Sequence, residues 1–136
     1  LRATLTSFLG ATYGMLAALL LILARWMQAA LYNPGGFRLE FHSLRIGSKT
    51  ALLLVGFMLA ANFGLLPPSW VIYSTVPLLF SGAALVHGVV GIKKLPSAVL
   101  AVFYAVMLLP VVMQGLVLLA LMDSWYDFRS RLASKT

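Results

Sequence analysis

The sequence predicts an all-α membrane protein with four transmembrane helices and short amphipathic helices at the membrane surface. Hydrophobic residues make up 62% of the 136 positions and charged residues only 10%, whereas soluble proteins have about half and about a quarter, respectively. A soluble domain of this length could not bury so much apolar surface. The remaining charges fall between long uncharged stretches, which is typical of helices that cross a membrane.

Four apolar segments are predicted to be membrane-embedded helices. Residues 3–24 carry no charge, and at about 1.5 Å per residue this length covers the roughly 30 Å hydrocarbon core. Proline and glycine clusters or a lysine pair separate the segments, and we expect Pro110 to kink the fourth. The predicted bounds are residues 3–31, 50–66, 71–91 and 96–122.

Two further segments are predicted to be amphipathic helices that lie on the membrane surface. In residues 37–45, apolar side chains recur at i, i+4 and i+7, and basic side chains follow the same spacing one position later. In the C-terminal tail, apolar side chains share one face, and Asp127 is expected to pair with Arg131 at i, i+4.

The net charge of +7, from ten Lys and Arg against three carboxylates, indicates contact with anionic lipid headgroups. The charges lie beside apolar stretches, so lipid explains them better than nucleic acid does. The positive side chains divide almost equally between the two sides of the four-span topology, so the positive-inside rule does not orient the chain. The basic residues expected at the interface are Arg38, Arg45, Lys93 and Lys94.

The sequence lacks the residue patterns of common enzyme and metal-site classes. It has no cysteine, which excludes disulfides and thiolate sites within it. The two histidines, His42 and His87, lack metal-ligand spacing, and no nucleotide-binding or hydrolase motif occurs. Glu40 is expected in a loop and Asp123 and Asp127 in the tail, so no carboxylate would serve an ion-coupled pump inside the membrane. We therefore expect a non-enzymatic protein with no catalytic residues, cofactor, metal or nucleic-acid partner.

Pairs of small residues four positions apart recur along the sequence. Such pairs let membrane helices approach each other closely. Gly10 and Gly14 are the best candidates for docking a partner subunit. The alternative is that these pairs serve packing within this one bundle.

Three polar side chains inside the predicted spans are candidates for a ligand or lipid-headgroup site. Arg25, His87 and Tyr104 lie six to eight residues from helix ends on the same side of the four-span topology, about 9–12 Å inside those ends. In such a site, Arg25 would hold an anion, because guanidinium pairs bidentately with phosphate or carboxylate. Alternatively, Arg25 extends to the interface, Tyr104 belongs to an aromatic belt and His87 bonds a backbone carbonyl.

Several stretches of the sequence resemble the YybS-like family of predicted bacterial membrane proteins, whose function is unassigned. The resembling stretches are ARWMQAALYNPGGF at residues 24–37, EFHSLR at 40–45, ALVHG at 84–88 and DSWYDFR at 123–129. The resemblance covers most of the chain from residue 24 onward. Family members are considerably longer, so the chain would match their C-terminal part.

The YybS-like family is grouped with the substrate-binding S-components of energy-coupling-factor transporters. The resemblance therefore implies a multi-pass protein of the bacterial inner membrane, an S-component-like transport subunit that binds a small solute or lipid. Its partners would be membrane lipids and another membrane protein subunit. The alternative is a structural or assembly subunit of a larger membrane complex with no ligand of its own. In either case we expect one helical membrane domain over residues 1–136, belonging to a longer chain or lacking its N-terminus.

Overall fold

The computed structural model describes residues 1–135 and contains seven α-helices in this part of the chain. No strand occurs among these residues, which confirms the predicted all-α class. Two helices are long and apolar enough to cross a membrane, and two bent helix pairs raise the number of candidate spans to four if each pair is one span. These apolar helices indicate a membrane protein. The helices are α1 Arg2–Tyr32, α2 Gly36–Ser43, α3 Ser48–Asn62, α4 Ser69–Ile92, α5 Ala98–Val106, α6 Pro110–Tyr126 and α7 Phe128–Ala133.

Helix α1 is uninterrupted over 31 residues, which corresponds to about 47 Å. It ends where Asn33 leaves the helical conformation and Gly35 adopts a φ of +86°, as the Asn-Pro-Gly-Gly string predicts. Within α1, which is described throughout, Ala29 alone is buried. Its less exposed positions follow one stripe at a spacing of three or four: Ser7, Ala11, Met15, Ala18, Ile22, Arg25 and Ala29. The wide remaining surface is mostly apolar and suits acyl chains or another protein.

The predicted surface helix exists as α2, and its place on the membrane surface stays a prediction. The predicted second span corresponds to α3, which is 15 residues long. At about 22 Å, α3 is too short to cross the hydrocarbon core alone. The chain bends by 56° between α2 and α3, and the two together are long and apolar enough to cross a membrane if this bent pair is one span.

Helix α4 matches the predicted third span closely but contains Pro77, which removes one backbone hydrogen bond. It ends as the charge pattern predicts, at the Lys93–Lys94 pair. Lys94 has a φ of +52°, and the N–H of Leu95 bonds the carbonyl of Val90 at 3.0 Å. A residue in the left-handed conformation followed by this hydrogen bond is the Schellman type of helix C-cap.

The predicted fourth span is not one kinked helix. Helix α5 ends at Val106, α6 begins at Pro110, and their directions differ by 113°. Leu109 is extended, with φ −80° and ψ 126°, which is the conformation favoured before proline. Pro110 therefore occupies the first turn of a new helix, where its missing N–H leaves no bond unmade. Residues 107–109 form a helix break, called the α5–α6 break below.

The tail also differs from the prediction. Helix α6 continues to Tyr126, four residues beyond the predicted end, and Asp127 adopts a left-handed conformation with a φ of 46°. Asp127 then caps α7 by accepting a hydrogen bond from the N–H of Ser130 at 3.4 Å. A helix of only six residues follows.

The described chain divides into two compact units. Unit 1 comprises residues 1–40 and 52–77, and unit 2 comprises residues 41–51 and 78–135. Unit 2 contains most of the buried apolar side chains, including Leu78, Leu85 and Leu116. It also contains the buried charged residues described below.

Candidate functional site

His87 and Tyr104 form a hydrogen-bonded pair between α4 and α5 in unit 2. His87 Nε2 and Tyr104 Oη are 2.7 Å apart. His87 is half-buried, whereas Tyr104 is 47% exposed. The structure thus brings together two of the three residues proposed for a ligand site.

Aromatic rings surround this pair. The rings of Phe41 and His87 are nearly perpendicular with centroids 5.1 Å apart, and the ring of His42 lies 6.2 Å from that of His87. Phe103 lies 5.0 Å from Tyr104. Tautomerism lets one ring nitrogen of His87 donate while the other accepts. These five residues, called the His87–Tyr104 cluster, therefore combine aromatic walls with neutral hydrogen-bonding groups.

The His87–Tyr104 cluster is suited to an uncharged molecule more than to a metal ion. Within the part of the chain that the structure describes, no group of three or more His, Asp or Glu side chains could hold a metal. The cluster contains no carboxylate and no guanidinium. Its chemistry is hydrogen bonding and ring contact, both of which recognise a neutral polar group on an apolar body.

Arg25, the third residue of the proposed site, lies in unit 1 and binds other partners. Its Nε donates to Glu40 Oε2 at 2.7 Å, its Nη2 donates to Glu40 Oε1, and its Nη1 donates to Gln28 Oε1 at 2.8 Å. The assignment of Glu40 to a loop is wrong, because Glu40 lies on α2. This bidentate pairing neutralises the guanidinium, so Arg25 is not a free anchor for an anionic ligand.

No pattern in the sequence predicts the buried ion pair between Asp123 and Arg129 in unit 2. Asp123 is completely buried and Arg129 is 7% exposed. Arg129 Nη2 donates to Asp123 Oδ2, and Nη1 donates to the carbonyls of His42 and Leu44, all at 2.8 Å. Asp123 Oδ1 accepts from the Phe128 N–H at 2.8 Å. The ion pair joins the end of α6 and α7 to carbonyls at the C-terminal end of α2.

The expected pairing of Asp127 with Arg131 is wrong, because the left-handed Asp127 breaks the helix on which that spacing depends. Asp127 Oδ2 instead lies 3.1 Å from Arg45 Nη1. The same nitrogen donates to the Asp123 carbonyl at 3.3 Å. Arg131 donates to the Tyr126 carbonyl at 2.8 Å, and its guanidinium lies over the Tyr126 ring. Arg45 therefore stabilises the tail in addition to any contact with headgroups.

Gly88 makes room for this network directly beside His87. A Cβ atom at Gly88 would lie 2.8 Å from Arg129 Cδ and 2.9 Å from the His42 carbonyl oxygen. The His-Gly dipeptide at 87–88 is thus the sequence signal for a close approach here. It places the buried ion pair next to the His87–Tyr104 cluster in the same unit.

The residues predicted to dock a partner or to bind headgroups differ in how closely other residues pack against them. Gly10 packs against Tyr73 within unit 1, since a Cβ atom there would lie 2.6 Å from the tyrosine hydroxyl oxygen. A Cβ atom at Gly14 would have no other described residue within 4 Å. Docking of a partner at this pair stays a prediction. The basic residues Arg38, Lys93 and Lys94 are exposed, and their binding to lipid headgroups also stays a prediction.

No family model, curated protein or solved structure matches the chain. The resemblance to the YybS-like family therefore stays a prediction.

Proposed function

We propose that the chain is a non-enzymatic, S-component-like subunit that crosses a bacterial inner membrane up to four times and binds a small uncharged solute or lipid at the His87–Tyr104 cluster. The α5–α6 break is the observation that carries this proposal. A membrane has no water to satisfy exposed backbone groups, so irregular backbone is tolerated only inside protein or beside a water-filled cavity. Transporters use such broken helices to build their substrate sites.

The position of Tyr104 links the break to the cluster. Tyr104 lies on the short helix α5, in the turn before the α5–α6 break, and bonds His87 on α4. The chain bends by 113° at this point, and the side chain of Tyr104 is partly exposed beside it. Binding a ligand would occupy both the hydroxyl and the rings around it.

We propose that the ligand is uncharged, although the sequence analysis expected Arg25 to hold an anion. The cation expected to hold an anion, Arg25, is already paired with Glu40. In unit 2, the guanidinium of Arg129 is likewise fully engaged with Asp123 and two carbonyls. A neutral ligand avoids the high cost of burying an unpaired charge in an apolar site.

Native mass spectrometry of the gently extracted protein tests this proposal. We expect a bound small molecule on the natural protein and a weaker adduct on Tyr104→Phe, which removes one hydroxyl and keeps the ring. Tyr13→Phe is the matched control, because Tyr13 is 70% exposed on α1. Equal amounts of adduct on Tyr104→Phe and Tyr13→Phe, or no adduct on the natural protein, would contradict binding at this cluster.

A second candidate function is a structural or assembly subunit without a ligand, and the exposure of α1 favours it. Ala29 is the buried residue of this helix, while side chains such as Phe8 and Leu21 are 66% and 72% exposed. A second membrane protein would cover this surface as well as lipid does. The same spectra distinguish the two functions, because a scaffold subunit retains a protein partner and no small molecule.

A further inference from the structure

A cleft of about 420 Å³ lies in unit 1 between the first two turns of α1 and residues 67–73. This volume falls within the range of roughly 300–1,000 Å³ that is typical of small-molecule sites. The cleft is in unit 1, whereas the His87–Tyr104 cluster is in unit 2, and no residue belongs to both sites.

Small residues on α1 leave this space open. Ala3, Thr4 and Ser7 face it from α1, and Pro67 and Pro68 form part of the opposite wall. The prolines fix the backbone and contribute no N–H group. Tyr73 lines the cleft from α4 and also packs against Gly10, so its ring is held in place.

Five of the residues that line the cleft carry hydroxyl groups. Thr6 and Ser7 donate theirs to carbonyls of their own helix, at 2.8 and 2.7 Å. The hydroxyls of Thr4, Ser69 and Tyr73 form no hydrogen bond with any of the residues that the structure describes. Thr4 and Tyr73 are exposed and Ser69 is partly exposed, so the three hydroxyls are accessible donors, which suit a ligand with oxygen acceptors.

The walls of the cleft indicate an uncharged ligand with an apolar part. Among the residues that the structure describes, no charged side chain lines this cleft. Alanine, proline and isoleucine side chains make up the rest of the lining. An ester or hydroxyl oxygen attached to an acyl chain matches both the donors and the apolar walls.

We propose that this cleft binds the glycerol–ester part of a membrane lipid. The ester and hydroxyl oxygens accept hydrogen bonds from Thr4, Ser69 and Tyr73, and the acyl chains continue along apolar protein surface. A free polyol offers the same oxygens without the chains, so the test below distinguishes the two sources.

Native mass spectrometry of the whole chain, titrated with dioleoylglycerol in detergent, tests this site. We expect one saturable adduct that excess glycerol does not displace. Thr4→Val, Ser69→Ala and Tyr73→Phe each remove one hydroxyl with little change of shape, and each weakens binding about fivefold. The triple variant weakens binding roughly a hundredfold if the effects add.

The controls are Thr12→Val and Tyr13→Phe, which remove the same groups from α1 outside the cleft. We expect both to bind dioleoylglycerol like the natural protein. Gly10→Ala gives an independent variant with every hydroxyl retained. It forces Tyr73 to move, because the added Cβ would lie 2.6 Å from the tyrosine hydroxyl oxygen, and it weakens binding as well.

Two results would overturn the proposal. Equal affinity of the natural protein and the hydroxyl variants, with helical content verified by circular dichroism, would exclude this cleft as the site. Displacement of the lipid by glycerol alone would show that the ligand is a free polyol. If the triple variant does not fold, the single variants and Gly10→Ala decide the matter.

Discussion

Replacing Arg129 with methionine is expected to destabilise the protein strongly. Methionine retains an apolar side chain beside Gly88 but loses three hydrogen bonds of 2.8 Å, to Asp123 and to the carbonyls of His42 and Leu44. Hydrogen bonds to charged groups contribute about 1.5–3 kcal/mol each. Their simple sum is too high, because the contributions of hydrogen bonds within one connected network do not add.

The expected loss for Arg129→Met is therefore about 3–5 kcal/mol, the range measured when one partner of a buried ion pair is removed. Unfolding by sodium dodecyl sulfate in mixed micelles measures it. Arg131→Met is the matched control on the same short helix, where the exposed side chain bonds one carbonyl, and about 0.5 kcal/mol or less is expected. Equal losses for the two variants would refute the reasoning. Replacing Asp123 together with Arg129 by apolar residues should cost less than the two single changes combined.

Two further substitutions test the packing around the same helices. Gly88→Ala should lower the free energy of unfolding by about 1–3 kcal/mol, because the added Cβ would lie 2.9 Å from a backbone oxygen. Gly115→Ala is the control, since a Cβ atom there would have no other described residue within 4 Å. It should leave the free energy of unfolding unchanged or raise it. Ser74→Ala should be neutral or stabilising by about 1 kcal/mol, because the buried Ser74 hydroxyl has no partner among the described residues. Ser124→Ala is its control, since that equally buried hydroxyl donates to a carbonyl at 3.0 Å; a larger loss for Ser74→Ala than for Ser124→Ala would contradict this account.

The long helices were predictable and the α5–α6 break was not, for one physical reason. Charge-free length and flanking turn residues define α1 and α4 directly in the sequence. Hydropathy continues without interruption through residues 96–122, so it does not distinguish a proline inside a helix from a proline that begins one. The extended conformation of Leu109 decides this, and it depends on how α5 and α6 pack.

The sequence predicts a contact of the candidate site only where two side chains lie at the same depth along neighbouring helices. Helix rise places His87 and Tyr104 at similar depth, and the structure joins them by a hydrogen bond. The partners of Arg25 and Arg129 depend on chain reversals instead. Glu40 meets Arg25 because α2 is helical, and Asp123 meets Arg129 because Asp127 is left-handed. The Asn-Pro-Gly-Gly string at residues 33–36 indicates the first reversal, but no spacing in the sequence indicates which side chains meet across either one. Both ion pairs are therefore findings of the structure.

If the α5–α6 break helps to form a binding site within the membrane, as proposed, its exposed residues must lie at membrane depth and beside a water-filled cavity. Leu108 lies in the break and is 83% exposed, and the chain has no natural cysteine. A fluorophore attached to Leu108→Cys in proteoliposomes can be quenched by iodide from water and by brominated acyl chains from lipid. We predict quenching by both agents, with Leu21→Cys on α1 quenched by the brominated lipid alone. Quenching at the break by one agent alone would contradict this prediction. Quenching by brominated lipid alone would show that no water-filled cavity lies beside the break. Quenching by iodide alone would show that the break lies outside the membrane.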